Sequence, residues 1–495
     1  MPCSLALRTL WGAFALFGAV LTVPSVGGAG QGQRNDQDTA RIATAMKITP
    51  GQVNRFEANP GGKLTVHGDL GAGALSHPMP GLTPEAKLDL ALGQAVFEKL
   101  WVSSPSSTKA SDGLGPLYNA RNCAACHPGQ GRAKGPDGDG PLPVGLVLRL
   151  SVHGGPDRAE IEGYLATQDH PKFGGQLQPE TTAGLTSEGR PEVRYTHHSV
   201  TLADGVQVPM RRPLYQVQTL PRDILISPRL APSLQGMGLI DAIRVADILA
   251  GADPDDANGD GISGRANMVI SAQSGQTSVG RFGWKAEIGS LTEQVADAFA
   301  HDIGISTPLF PDPWGDCTAQ QTACRAAPHG DQDARGTEAD MTALNLTTHF
   351  VAALAVPARA AAPETVIAGR DLFVAAGCAA CHTPAFVTQR RAGDPRGFQM
   401  IWPYSDFLLH DMGPDLADGR PASRASGSEW RTPPLWGIGR VKQVTGTEHF
   451  LHDGRARTLT EAILWHGGEA QQARDRFVSL PAPDRDALIA FLESL

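Results

Sequence analysis

Apolar positions fall into different patterns along this chain. Near its start, Arg8 is followed by an apolar run from Leu10 to Val23 and then small residues through Gly30. A run of 14 positions is too short to span a bilayer but suits a secretory signal peptide. Residues 1–30 are therefore expected to be removed near Ala29, leaving an exported, periplasmic protein with no membrane span in its mature form. At the other end, Pro483-Asp484 opens a helix with Leu488, Phe491, Leu492 and Leu495 on one stripe. A matching stripe of Leu344, Phe350, Val351 and Leu354 lies between Met341 and Ala355 and stops before Pro357. Two further helices share a signature, a glycine four residues before a phenylalanine: Gly93 and Phe97 after Thr83-Pro84, and Gly369 and Phe373 before Cys378. Between these helical regions, alternation from Tyr195 to Tyr215 around Asp204-Gly205 predicts a β-hairpin.

Composition narrows the class. The 495 residues are 41% hydrophobic and 19% charged, as in ordinary globular proteins of two or three domains. The 57 glycines and 38 prolines predict long ordered loops between short helices. A net charge of −9, with no basic run, argues against a nucleic-acid partner and would suit a small basic redox protein.

The seven cysteines sort by position. Cys3 leaves with the signal. Cys317 and Cys324 sit in a polar loop and are expected to form a disulfide in an oxidising compartment. The other four occupy two identical pentapeptides, Cys123-Ala-Ala-Cys126-His127 and Cys378-Ala-Ala-Cys381-His382. Cysteines three apart can bond both vinyl groups of one haem, and the following histidine then binds its iron. A four-cysteine zinc site is the alternative, but zinc does not require a histidine after each pair.

These elements predict a mainly α fold of two cytochrome c-like haem domains, the first carrying a long loop-rich insertion with a small β-sheet. The expected boundaries are an N-terminal extension at 31–80, a first haem domain at 81–356, a linker at 357–363 and a second haem domain at 364–495. Phe97 precedes Cys123 by 26 residues and Phe373 precedes Cys378 by 5, so the first copy holds about 21 extra residues there. Thr458 and Glu461 have the spacing of a capping box, which starts a helix carrying His466 on the same face as Leu459, Ala462 and Ile463. Asp256, Asn258, Asp260 and Ile262 have the oxygen-ligand spacing of a calcium loop, with Gly261 at its turn. Asn267 stands where a calcium loop has its glutamate, so a simple Asx-rich turn is the competing reading.

Three runs of the second half, Tyr404–Gly413, Trp430–Trp436 and Phe450–Gly468, resemble the bacterial di-haem cytochrome c peroxidase superfamily. With Gly174–Gln178, Asp260–Gly264 and Gly280–Lys285, the chain from about residue 80 onward is most similar to its di-haem oxidoreductase branch. The resemblance implies an enzyme passing electrons between two haems to reduce hydrogen peroxide or a related oxidant, fed by a small cytochrome or cupredoxin. In the classical peroxidases a methionine 14 residues after the His-Asp-Gly histidine binds the second haem. Here that position, counted from His452, is His466. The resemblance thus implies His466 as that haem's distal ligand, with Met412 the competitor. It also implies a tryptophan between the haems, for which Trp284 is the first choice and Trp465 the second. His153, His170, His197, His198 and Met237 are the distal candidates for the first haem. Two other functions stay open: a pure electron carrier with both irons six-coordinate, and an oxidase that oxygenates a substrate or modifies a protein.

Overall fold

The structure is a computed structural model describing residues 34–330 and 336–495, so the signal-peptide expectation lies outside the described residues. Its frame is built from one arrangement used twice. Thr83 caps the helix Pro84–Glu98 by accepting the Ala86 amide (3.2 Å), and proline fills the first helical position, where no amide is needed. Asp340 caps Met341–Ala352 in the same way. These helices cross at Gly93, where an added Cβ would sit 2.1 Å from the Leu346 carbonyl oxygen. The close crossing brings Phe97 against Phe350, ring centroids 5.1 Å apart. In the second half, Glu364–Ala375 crosses Ala482–Ser494 at Gly369, whose Cβ would lie 1.8 Å from the Ala487 oxygen. Phe373 meets Phe491 at 5.3 Å. All four phenylalanines are buried, each worth roughly 1.5–3 kcal/mol of apolar burial.

The rest corrects the expected class. The described residues are 30% helix and 18% strand in several small sheets, not a mainly α molecule. Leu146–His153 runs antiparallel to Leu225–Leu230 on one side and Thr167–Gln168 on the other. Its buried positions alternate at first (Leu146, Leu148, Leu150), as one covered face requires. Glu192–Thr201 pairs antiparallel with Gln207–Gln216, with Gly205 at φ 85° in the turn. Most other strands are two or three residues long. The helical stripes account for only a few segments. The glycine- and proline-rich chain between them is held by short ladders and side-chain hydrogen bonds, which leave no long periodic signal in the sequence.

Several segments cross between the halves, among them bridges from Ile243 to Thr388 and from Arg265 to Leu409. The hairpin 192–216 leaves the first half and lays Leu202 and Met210 into the core of the second, with Trp465, Leu459 and Phe477. Arg211 fixes it there, donating to the Arg455 oxygen at 2.8 Å and the Gly454 oxygen at 3.2 Å. The stretch from Glu57 to Met79 straps both halves, bonding Val66 N to Val356 O (3.1 Å) and Met79 N to Ala353 O (2.8 Å). The Trp402 amide in turn donates to the Pro60 oxygen at 2.8 Å.

Candidate functional site

Each pentapeptide forms a tight turn. Asn122 caps Cys123–Cys126 by accepting the Ala125 amide (3.0 Å), and Cys378–Ala380 follows Gly377 at φ 92°. The histidine after each turn is oriented identically. His127 Nδ1 lies 2.8 Å from the Pro232 carbonyl, and His382 Nδ1 lies 2.9 Å from the Tyr404 carbonyl. A ring that donates from Nδ1 keeps Nε2 unprotonated and free to bind a metal. Phenylalanine flanks both rings, Phe97 at 6.4 Å from His127 and Phe373 at 6.1 Å from His382. Burial pushes both imidazoles down to about 4, opposed by those carbonyls, so both are neutral at ordinary pH. Burial likewise pushes the Cys123 and Cys378 thiols up to about 12. No group of three or more His, Cys, Asp or Glu among the described residues is gathered so as to hold a metal ion, so the four cysteines do not make a zinc tetrad.

An apolar cavity opens beside the second pentapeptide, with about 2000 Å³ of empty volume counting its mouth. Cys378, Cys381 and His382 line it, as do Phe373, Leu488 and Leu492. His466 lines the same cavity and lies close enough to His382 to depress its protonation. Its Nδ1 is tied to the Ala462 carbonyl at 2.7 Å, again leaving Nε2 free. Thr458 starts this helix, Leu459–Leu464, by accepting the Glu461 amide (3.0 Å), but the capping box is half formed. The Glu461 carboxylate turns instead to the Arg457 amide, at 2.9 Å. Met412 also borders the cavity.

The cavity runs on toward the first pentapeptide. Pro232, whose carbonyl orients His127, is on its wall with Gln235, Met237, Arg132 and Trp284. Trp284 donates from Nε1 to the Leu230 oxygen (2.8 Å), two residues before Pro232, and meets His452 edge-on at 6.4 Å. His452 stacks on Trp430 with centroids 3.7 Å apart, and its Nε2 has no hydrogen-bond partner among the described residues. Buried Arg431 and half-buried Arg132 line the cavity, each pushed down to about 10 by desolvation and only partly restored by an aspartate. Arg132 Nε is likewise buried without a partner among the described residues. A flat apolar group bearing carboxylates fits this lining: apolar walls for its faces, thiols for its edge, and the orphaned Nε hydrogen of Arg132 for an acid. Haem is such a group.

The remaining predicted residues scatter. Met237 borders the cavity, whereas His153, His197 and His198 are exposed. His170 uses its Nδ1 on its own turn, accepting from the Lys172 amide at 3.1 Å. Cys317 and Cys324 are disulfide-bonded, in a cluster with Leu117 and Trp314. In the 256–262 loop, Asp256 accepts the Gly261 amide, Asn258 the Asp260 amide and Asp260 the Ile262 amide. These are the bonds of an Asx-rich turn.

Sequence reasoning missed His410. It is 2% exposed, with Nε2 at 2.8 Å from Asp406, Nδ1 at 2.7 Å from Glu469 and Cys381 Sγ at 3.5 Å. Burial lowers its pKa, but the two carboxylates more than reverse this and hold it well above the usual imidazole value. Glu469 also takes the Ser263 hydroxyl at 2.6 Å and the Asp411 amide at 3.2 Å, fixing the loop just after His466. The run around His410 was legible as a family segment. Its ion pairs were not, because Glu469 is 59 residues away in sequence.

Residues 56–495 match the family model described as "di-haem oxidoreductase, putative peroxidase". Among solved structures, hydrazine synthase from Kuenenia stuttgartiensis, pressurised with xenon, is similar at 19% identity. That match covers 31% of this chain and 55% of the other, at a TM-score of 0.22. The chain thus spans about half the length of that relative, too loose a likeness to carry a structural argument. No curated protein matches. No helix among the described residues is long and apolar enough to cross a membrane.

Proposed function

The chain belongs to the di-haem oxidoreductase family of enzymes, and on that premise we propose a periplasmic c-type cytochrome that reduces hydrogen peroxide with electrons from a small redox protein. The haems, covalently held through Cys123 and Cys126 and through Cys378 and Cys381, supply one-electron iron chemistry when bound. The chain's own residues divide the work. His127 and His382 present unprotonated Nε2 atoms, because the Pro232 and Tyr404 carbonyls take the Nδ1 hydrogens. His466 faces His382 across the cavity with its own Nδ1 engaged. Were both rings to hold one haem through their free Nε2 atoms, that site would be closed to peroxide, and reduction of the oxidant would fall to the first site. Trp284 lines the cavity of His382 and donates to the Leu230 oxygen near Pro232, which supports reading it as the bridge that would carry electrons from the second site to the first. Arg132 would neutralise acid groups there. The overall reaction adds two electrons and two protons to hydrogen peroxide, giving two waters. The donor is read as a cytochrome or cupredoxin.

One observation carries this reading: two histidines face one apolar cavity beside a Cys-Ala-Ala-Cys-His turn, each with only Nε2 free. The test is optical and paramagnetic resonance spectroscopy of the pure holoprotein, with mass spectrometry of the denatured chain. The expected result is two haems retained after denaturation, one low-spin two-imidazole iron, one high-spin ferric iron, and peroxide turnover with a reduced cytochrome. Two six-coordinate low-spin irons in both oxidation states, with no turnover, would replace the enzyme by an electron carrier.

A further inference from the structure

Trp465 precedes His466 but faces away from the cavity, toward the hairpin that arrives from the first half. It is 2% exposed and meets the ring of His198 edge-on at 5.6 Å. His198 is exposed on the strand Glu192–Thr201. One aromatic contact therefore joins the solvent surface to the residue beside the second site's distal histidine. We propose that the His198–Trp465 pair is the port through which a one-electron donor protein delivers electrons to the second haem. This rests on the reading of His466 as that haem's ligand.

Three features support it. The route is short and continuous: an exposed imidazole, a buried indole, one peptide unit and the imidazole of His466. Two guanidiniums lie over the indole, Arg455 at 4.8 Å and Arg212 at 5.5 Å. Positive charge on the ring face stabilises its electrons, so the indole serves as a medium for tunnelling and is not itself oxidised. Finally, the surface around His198 is a two-stranded ribbon with exposed Leu214 and half-exposed Arg212. Such a ribbon offers area with mixed apolar and charged character, which suits a transiently docking protein. In each delivery the donor loses one electron, the second haem's ferric iron gains it, and no bond or proton moves. Two deliveries match one peroxide.

A photosensitiser test reads the port without turnover. In the proposed mature holoprotein Cys123, Cys126, Cys378 and Cys381 are committed to haem and Cys317 and Cys324 to a disulfide, so His198→Cys offers one free thiol for a ruthenium label. Flash reduction is then followed at the second haem's absorbance, with Trp465 intact and with Trp465→Phe, which keeps a ring for the hairpin to pack on. Injection is expected to slow at least tenfold in Trp465→Phe; rates within twofold of each other would overturn the proposal. An unlabelled His198→Ala variant should raise KM for a protein donor severalfold and leave turnover with a small dye unchanged; equal KM values would also overturn it. The resonance spectrum of each variant separates the two readings. A second haem without a two-imidazole signal sinks the ligand assignment, whereas an intact signal with unchanged injection sinks only the port.

Discussion

If His466 binds the second haem as proposed, a single imidazole in place of a thioether would set the electronic character of that site. On that proposed ligation, imidazole nitrogen would stabilise ferric iron more than sulfur, so the His466→Met protein should show an upward midpoint shift of ~0.1–0.3 V within the roughly 0.8 V that axial ligands span. Potentiometry of the second haem checks this, and an unchanged potential would mean that His466 is not bound. His301 is a second single residue with a consequence for pH. Burial alone would lower it, but the Asp297 carboxylate at 2.9 Å raises it to about 9. A raised folded pKa gives stability that is fully present below the unfolded value of about 6.5 and is lost as pH rises through about 9. At about 1.36 kcal/mol per unit, the contribution is at most about 3 kcal/mol. Denaturation midpoints should fall between pH 6.5 and 9 in the wild type, and much less in His301→Gln.

At the scale of elements, the paired helix crossings are the most demanding contacts. Alanine at Gly369 places a methyl on the Ala487 carbonyl, and at Gly93 on that of Leu346. The helices must separate, at a cost of at least about 1–3 kcal/mol. Gly369→Ala should therefore lower the melting temperature and the content of the second haem before the first, and Gly93→Ala the reverse. Haem-resolved spectra during a thermal scan check the order. This crossing was legible because helical stripes and a Gly-x-x-x-Phe spacing are local signals. So were both Cys-x-x-Cys-His turns and the 192–216 hairpin, with its Asp204-Gly205 turn. The short strands were not. A pair such as Leu117–Tyr118 with Glu180–Thr181 is set by tertiary contact, and two residues carry no periodicity. The buried charges were equally hidden, since Asp406, His410 and Glu469 look like ordinary polar positions until the chain brings them together.

Across the whole molecule, one carboxylate ties the N-terminal strap to the second haem site. Glu57 is 3% exposed and sits between Arg359 and Arg370, 3.1 Å from each. Arg359 belongs to the connection between the halves, and Arg370 to the helix that crosses at Gly369. The Tyr404 hydroxyl donates to the same carboxylate, while the Tyr404 carbonyl receives His382 Nδ1. Glu57→Gln keeps the shape but leaves two buried guanidiniums facing an amide, with Asp371 still beside Arg370 at 2.9 Å. Removing one partner of a buried ion pair costs about 3–5 kcal/mol, and the remaining Asp371 pair places this case near the lower end. The loss should appear as a lower denaturant midpoint at unchanged slope. Because Tyr404 also positions His382, the second haem's resonance spectrum should shift while that of the first does not. A destabilised protein with both haem signals unchanged would show that the strap holds the halves together without reaching the iron site. Unchanged stability would show that the two arginines find other partners when the carboxylate is gone.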